Sequence, residues 1–146
     1  MKVKDILATK GSRVVTIEKS TKVFDAMSIF SSNRVGSLLV VDKDDAILGI
    51  IAAKDVLMAV VNHYDTIKEI TVETVMTTDL IVCGEDDKIE YVQAAMTENR
   101  IRHIPVLAGK ELKGLISIGD VVKSQLKEMN VENKYLKDYM ADKYPG

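Results

Sequence analysis

The chain repeats itself, and that limits its folds more than any other feature does. A displacement of 66 residues sets Ser20 on Asp86, Val23 on Ile89, Asn33-Arg34 on Asn99-Arg100 and Val40 on Val106. One residue is then lost from a turn. At a displacement of 65, Gly49, Ile51 and Asp55-Val56 fall on Gly114, Ile116 and Asp120-Val121. At the front the displacement is 69, because the loop Ala8–Arg13 is three residues longer than its counterpart. Val3 then meets Val72, and Ile6-Leu7 meet Val75-Met76. A unit of about 60 residues used twice is one supersecondary block that buries its apolar face against its twin.

Each copy reads in the same order. An apolar run, Val14–Ile17 or Leu80–Cys83, predicts a strand. A helix start follows at Ser20-Thr21 or Asp86-Asp87, and Asp87 with Glu90 has the spacing of a capping box. Val23, Ala26, Met27 and Phe30 share one helical face, as do Ile89, Val92, Gln93 and Met96. Asn33-Arg34 and Asn99-Arg100 end the helices. Leu38–Val41 turns through Asp42–Asp45 into Ile47–Ala52, and Ile104–Leu107 turns through Ala108–Lys110 into Leu112–Ser117. A second helix starts near Asp55 or Asp120. Pro105 inside a strand implies an edge or a position without a ladder donor. The expected class is α/β (α+β): two β-α-β-β-α repeats, 1–65 and 66–128, packed sheet to sheet with pseudo-two-fold symmetry. A linker lies around Asn62–Ile67, and a C-terminal helix extension fills 129–146. A cleft between repeats is a natural small-ligand site.

Composition removes several classes of function. With 146 residues the chain can bury a core without a staple, and its single cysteine, Cys83, allows no disulfide framework or Cys-based zinc site. The longest near-apolar stretch, Ala46–Ala53, is too short to span a bilayer. Met1–Asp5 leads into no signal-peptide core, so a cytoplasmic location and no membrane partner are expected. Twenty basic against 22 acidic residues, and 5% aromatics, disfavour nucleic-acid binding.

The copies agree most closely at Gly49-Ile-Ile-Ala52-Ala-Lys54-Asp55 and Gly114-Leu-Ile-Ser117-Ile-Gly119-Asp120. Each is a strand running into a helix. The glycine permits close approach, and Asp or Ser at the junction can cap the helix. The same carboxylate suits a ribose diol, and the free helix amides suit a phosphate. Capping alone and ligand binding both fit the spacing.

With Gly-x-x-Ser/Thr-x-x-Asp closing each β-α-β-β-α copy, residues 1 to about 128 resemble a tandem cystathionine-β-synthase (CBS) domain pair, or Bateman module. Arg102-His103-Ile104-Pro105-Val106 resembles the family's second strand. The resemblance implies a non-enzymatic, energy-sensing regulatory module. It implies an adenosyl ligand between the repeats: AMP, ADP, ATP, NAD(H) or S-adenosylmethionine. A homodimer and an unidentified protein effector are implied as well. Carried over residue by residue, Asp120 and Ser117 hold ribose and phosphate, Val82, Cys83 and Gly84 line the base, and Arg102 and His103 meet phosphate, with Gly114 at the strand. In the first copy Gly49 and Asp55 fit, but Ala52 stands where a hydroxyl belongs. Gly36-Ser37 replace Arg102-His103 there, Lys54 partly compensates, and Thr16, Ile17 and Glu18 border the base. The second site is therefore expected to be the better equipped. The alternative is a scaffold dimer whose sites have decayed, for which Ala52 and Gly36-Ser37 speak.

Other residues are assigned bland roles. His63 reads as a loop residue, Asp42, Asp44 and Asp45 as a solvated turn, and the seven methionines as core filler. Neither a nucleophile nor an acidic partner is placed beside His103 by the sequence, so catalysis is not expected. In the tail Val122, Leu126, Met129, Asn133, Leu136 and Met140 form a heptad-like seam that suits a partner helix or the chain's own module. Tyr144-Pro145-Gly146 is expected to fray.

Overall fold

The structure, a computed structural model, describes residues 1–143, leaving out in the last helix the side chains of 131–133 and 135–143. The seam positions Asn133, Leu136 and Met140 and the fraying expected of Tyr144–Gly146 lie outside that description. The first copy runs α1 (Val3–Lys10), β1 (Thr16–Glu18), α2 (Val23–Asn33), β2 (Ser37–Val41), β3 (Ile47–Ala52) and α3 (Ala53–Asn62). The second runs α4 (Val72–Val75), α5 (Ile89–Asn99), β4 (His103–Ala108), β5 (Glu111–Ser117) and α6 (Ile118–Lys143). Among the described residues no helix is long and apolar enough to cross a membrane.

The copies match in detail. Arg34 and Arg100 close α2 and α5 in the left-handed region, at φ 53° and 54°. A non-glycine residue there costs roughly 1–2 kcal/mol, and both copies accept that cost at the same turn. The capping-box expectation for Asp87 fails: its carboxylate accepts the Gly84 N–H at 2.7 Å, and the N-cap is Lys88. Gln93 is bonded to Gln125 and leaves the apolar face, while Met27 is exposed.

The expected first strand of the second copy shrinks to a single parallel bridge, Cys83 to Val106. Pro105 explains this. In the first copy β1 pairs with β2 over three residues, and Leu39 N–H donates to Val15 at 3.2 Å. Leu39 and Pro105 are equivalent, but Pro105 has no N–H to give Ile81. Only the Cys83 N–H to Pro105 and Leu107 N–H to Cys83 bonds survive, at 3.0 and 2.8 Å. The sheets are thus β1-β2-β3 and β4-β5.

Alternation along the strands divides each sheet into two faces. Leu38, Val40 and Ile51 turn to the helices of the first copy, as Ile104, Val106 and Ile116 do in the second. Ser37, Leu39, Ile50 and Ala52 share the opposite face, as do His103, Pro105, Leu115 and Ser117. Leu39 is fully buried yet belongs to neither helix-covered core, so this face meets the other copy.

The leading helices are exchanged. Val3, Ile6 and Leu7 of α1 sit in the second core with Val92, Met96, Ile104 and Ile116. Val72 of α4 sits in the first core with Val23, Ala26 and Leu38, and Val75 and Met76 pack against it. The backbone bonds repeat with roles reversed. Val3 N–H donates to Asp87, and Val72 N–H to Thr21. Lys4 donates to Glu85 and Glu73 to Lys19, while Ile89 donates to Met1 and Val23 to Ile70.

The motif glycines make room for this exchange. A Cβ on Gly114 would lie 2.7 Å from Leu7 Cδ2, and one on Gly49 would lie 2.7 Å from Met76 Sδ and 2.8 Å from the Thr77 carbonyl. Their close approach is to protein, which corrects the expectation that both face a ligand. Gly49→Ala should therefore destabilise the fold by about 1–3 kcal/mol through overpacking. Gly119→Ala, whose Cβ meets nothing nearer than Ser117 Oγ at 3.6 Å, should be neutral or stabilising in a helix. Denaturant unfolding of the two variants checks the contrast.

Candidate ligand cleft

Each motif lies where a strand passes directly into a helix, at Ala52/Ala53 and Ser117/Ile118. The first helical N–H groups have no intrahelical acceptor and need partners. At the second motif Asp120 Oδ2 accepts the Ser117 N–H at 2.9 Å, and Ser117 Oγ accepts the Asp120 N–H at 3.1 Å. At the first, Asp55 Oδ2 accepts the Ala52 N–H at 2.8 Å, and Ala52 has no hydroxyl to return the bond. Capping is thus real at both motifs.

Beyond capping the two carboxylates differ. Asp55 Oδ1 accepts the Thr77 hydroxyl at 3.1 Å. Asp120 Oδ2 accepts the Lys10 ammonium at 2.7 Å, and the same ammonium donates to the Leu115 carbonyl at 2.8 Å. Burial raises the Asp120 pKa, but Lys10 and the Ser117 N–H and hydroxyl outweigh it and hold the carboxyl below its usual range. Lys10 and Asp120 also border a recess of about 180 Å³ with Thr9, Lys123, Ser124 and Lys127.

A cleft of about 450 Å³ opens on the first motif. Copy one contributes Gly36, Ile50, Ala52, Ala53, Lys54 and Asp55, followed by Thr77. Copy two contributes Arg100, Ile101, Arg102 and His103. By copy, Arg102 and His103 belong with Asp120, which leaves Asp55 no basic help beyond Lys54. In the structure they line the Asp55 cleft. The symmetry axis is the reason: it sets residues 36–37 against residues 102–103, and a Cβ on Gly36 would lie 3.0 Å from His103 Cε1 and Nε2. His103 also pairs with Ser117 across β4-β5, so it stands between the two motifs. Burial lowers its pKa first, then Lys10 and Arg102, against the opposing pull of Asp120. Among the described residues the buried Ser37 hydroxyl has no partner, on the face that carries Ile50 and Ala52.

The remaining candidates lie elsewhere. Cys83 is in the second core, its N–H and carbonyl are bonded to β4, and Gly84 N–H is bonded to Asp87. These groups are not free to read a base, and exposed Val82 lines neither the cleft nor the Lys10 recess. Ile17 is buried in the first core. Thr16 borders a separate hollow with Val41, Asp44, Asp45 and Lys110, and Glu18 is exposed on β1. Sequence reasoning missed Arg100, Thr77, Ser37 and Lys10. Arg100 was legible only as a helix stop. Lys10 was marked only by the longer front loop. Among the described residues no group of His, Cys, Asp and Glu is arranged to hold a metal ion.

A sequence model of the family described as CBS domain matches residues 3–62 and 72–127. The chain belongs to the CBS domain family. This CBS pair is 31% identical over 150 residues to the CBS domain-containing protein CBSX3, mitochondrial, of Arabidopsis thaliana, covering 97% of the chain and 73% of that relative. The structure of a putative signal-transduction protein with CBS domains from Burkholderia ambifaria superposes with TM-score 0.83 at 38% identity, over 87% of this chain and 95% of the other. The CBS domain pair of protein MJ0100, solved with 5-methylthioadenosine and S-adenosyl-L-methionine, shares the fold with TM-score 0.75 at 24% identity, over 84% and 98% of the two chains.

Burial, with the nearby Asp87 carboxylate, pushes the Cys83 thiol up to about 12. At pH 8 its thiolate fraction is then roughly a thousandfold below that of a free thiol. Iodoacetamide labelling followed by mass spectrometry should modify Cys83 in denaturant and leave it intact in the native protein.

Proposed function

We propose that this CBS pair is a regulatory, non-catalytic module that binds an adenosine-containing ligand with its phosphates in the Asp55 cleft. One observation carries the reading: Asp55 shares a cleft with Lys54, Arg100, Arg102 and His103. A carboxylate offers about four acceptor positions, and Asp55 uses one for Ala52 and one for Thr77. A ribose 2′,3′-diol can take the other two. Arginine forks accept phosphate oxygens in pairs, and the N-terminus of α3 adds its dipole. Ile50 and Ile101 supply apolar wall. The unpartnered Ser37 hydroxyl lies on the same sheet face.

Charge selects among adenosyl ligands. Three permanent cations face one carboxylate, which favours AMP, ADP, ATP or NAD(H) over the cationic S-adenosylmethionine. The adenosine part has support from the ligands of MJ0100. The first motif takes precedence over the second because the Asp120 carboxylate already holds an ammonium.

Signalling follows from differential affinity, since a ligand moves the module only by preferring one arrangement. Leu57, Met58 and Val61 on α3 are exposed, and so are Val122, Leu126 and Met129 on α6. Leu57 and Val61 match Val122 and Leu126 in the repeat, so two like apolar faces stand ready for a homodimer or a protein effector. A cytoplasmic setting fits these partners. The scaffold reading retains one point in its favour, the missing hydroxyl at Ala52.

Thermal unfolding with AMP, ADP, ATP, NAD, NADH and S-adenosylmethionine tests the proposal. A phosphorylated ligand at 100 times its dissociation constant should add about 2.7 kcal/mol. Asp55→Ala should weaken that binding by about 1.5–3 kcal/mol. No shift with any of the six would leave the scaffold reading.

The histidine gives a second test. Its folded pKa is below the ordinary 6.5, so in the empty protein its contribution to stability is full above that value and lost as the pH falls through the folded one. A bound phosphate favours the imidazolium and raises the pKa, so binding takes up a proton. Isothermal titration at pH 8 and pH 6 should show ATP affinity gaining more on acidification in the wild type than in His103→Gln.

A further inference from the structure

The two motifs carry the same aspartate, but among the described residues only Asp120 of the two is bonded to a cationic side chain. Lys10 is the last residue of α1. That helix is fixed at both ends of the contact. Val3, Ile6 and Leu7 are buried in the second core, and Leu7 fills the space over Gly114. Gly11 then turns the chain away at φ 91°, its N–H bonded to Leu7 at 2.8 Å. One turn after Leu7, the Lys10 ammonium reaches the Leu115 carbonyl and Asp120 Oδ2, at 2.8 and 2.7 Å. Two of its three N–H donors are thereby used. The pair is about two-thirds to four-fifths buried, with side-chain exposures of 34% and 21%.

Among the described residues nothing equivalent stands on Asp55. Its exchanged helix, α4, has four residues against the eight of α1. The three extra residues at the front of the chain amount to the helical turn that delivers Lys10. At the first motif the corresponding contact is a neutral hydroxyl, Thr77 Oγ1, at 3.1 Å.

We propose that Lys10 is a built-in occupant of the second motif. The chain therefore takes one phosphorylated adenosine ligand, at Asp55, and none at Asp120 while Lys10 stays in place. The inference rests on the ligand reading of the Asp55 cleft. The Ser117 N–H and the Lys10 ammonium both fall on Asp120 Oδ2, so a diol that grips both carboxylate oxygens, as it can at Asp55 where each oxygen carries one bond, finds one of them filled. A neutral diol must then displace a charge-assisted bond in partly desolvated surroundings, which a diol does not repay. Three inserted residues thus turn a duplicated pair of sites into a single one.

Isothermal titration with ATP reads the stoichiometry. Wild type should bind one ATP per chain, weakened roughly ten- to a hundredfold in Asp55→Ala and kept in Asp120→Ala. Lys10→Met, which keeps the aliphatic stem, should bind two, and adding Asp120→Ala to it should return the number to one. Lys10→Gln serves as a second variant, with circular dichroism confirming that each is folded. One ATP in both folded Lys10 variants would overturn the inference and leave the Asp55 reading standing. Two ATP in the wild type, or a single site lost with Asp120→Ala, would overturn it as well. No ATP in any variant would remove the ligand reading and the inference with it.

Discussion

Three backbone hydrogen bonds, made twice with the copies exchanging roles, hold this molecule together. Val3, Lys4 and Ile89 make one set, and Val72, Glu73 and Val23 make the other. Each set anchors a leading helix in the core of the opposite copy. Both motif glycines follow from it, since a side chain at either would strike the guest helix or the chain leaving it. Neither copy owns a complete core, so the pair stands as one cooperative unit.

The symmetry axis does the rest of the placing. It brings the start of β2 against the start of β4, where Gly36 leaves space for the His103 ring. A basic pair belonging to one copy thereby serves the aspartate of the other. Duplication supplies two equivalent frames. Local substitutions, Ala52 for Ser117 and Gly36-Ser37 for Arg102-His103, make the frames chemically unequal.

The fold was legible because a repeat carries its own alignment. The apolar runs Leu38–Val41 with Ile47–Ala52, and Ile104–Leu107 with Leu112–Ser117, recur in both copies, and the turn residues between them mark both hairpins. The left-handed helix ends at Arg34 and Arg100 were visible as matched polar breaks. The site was only half legible. Asp55, Lys54, Arg102 and His103 were named from the sequence, but they were sorted by copy, and the cleft is built across copies. Burial of Cys83 and Ile17 could not be told from a base-lining role, because a strand edge and a core strand share the same residue types. Lys10 lies 110 residues from Asp120, beyond the reach of any local pattern.

Pro105 grades the molecule's resistance to local opening. With no third rung, residues 80–83 are joined to β4 by the two bonds at Cys83. The matching segment of the first copy, β1, pairs with β2 over three residues and is the better protected against local opening. Immediately downstream, Glu85 and Asp87 receive the bonds from Lys4 and Val3 that seat α1. A single imino acid in β4 therefore shortens the ladder of the segment that leads directly into the berth of the N-terminal helix, the helix that carries Lys10 to Asp120.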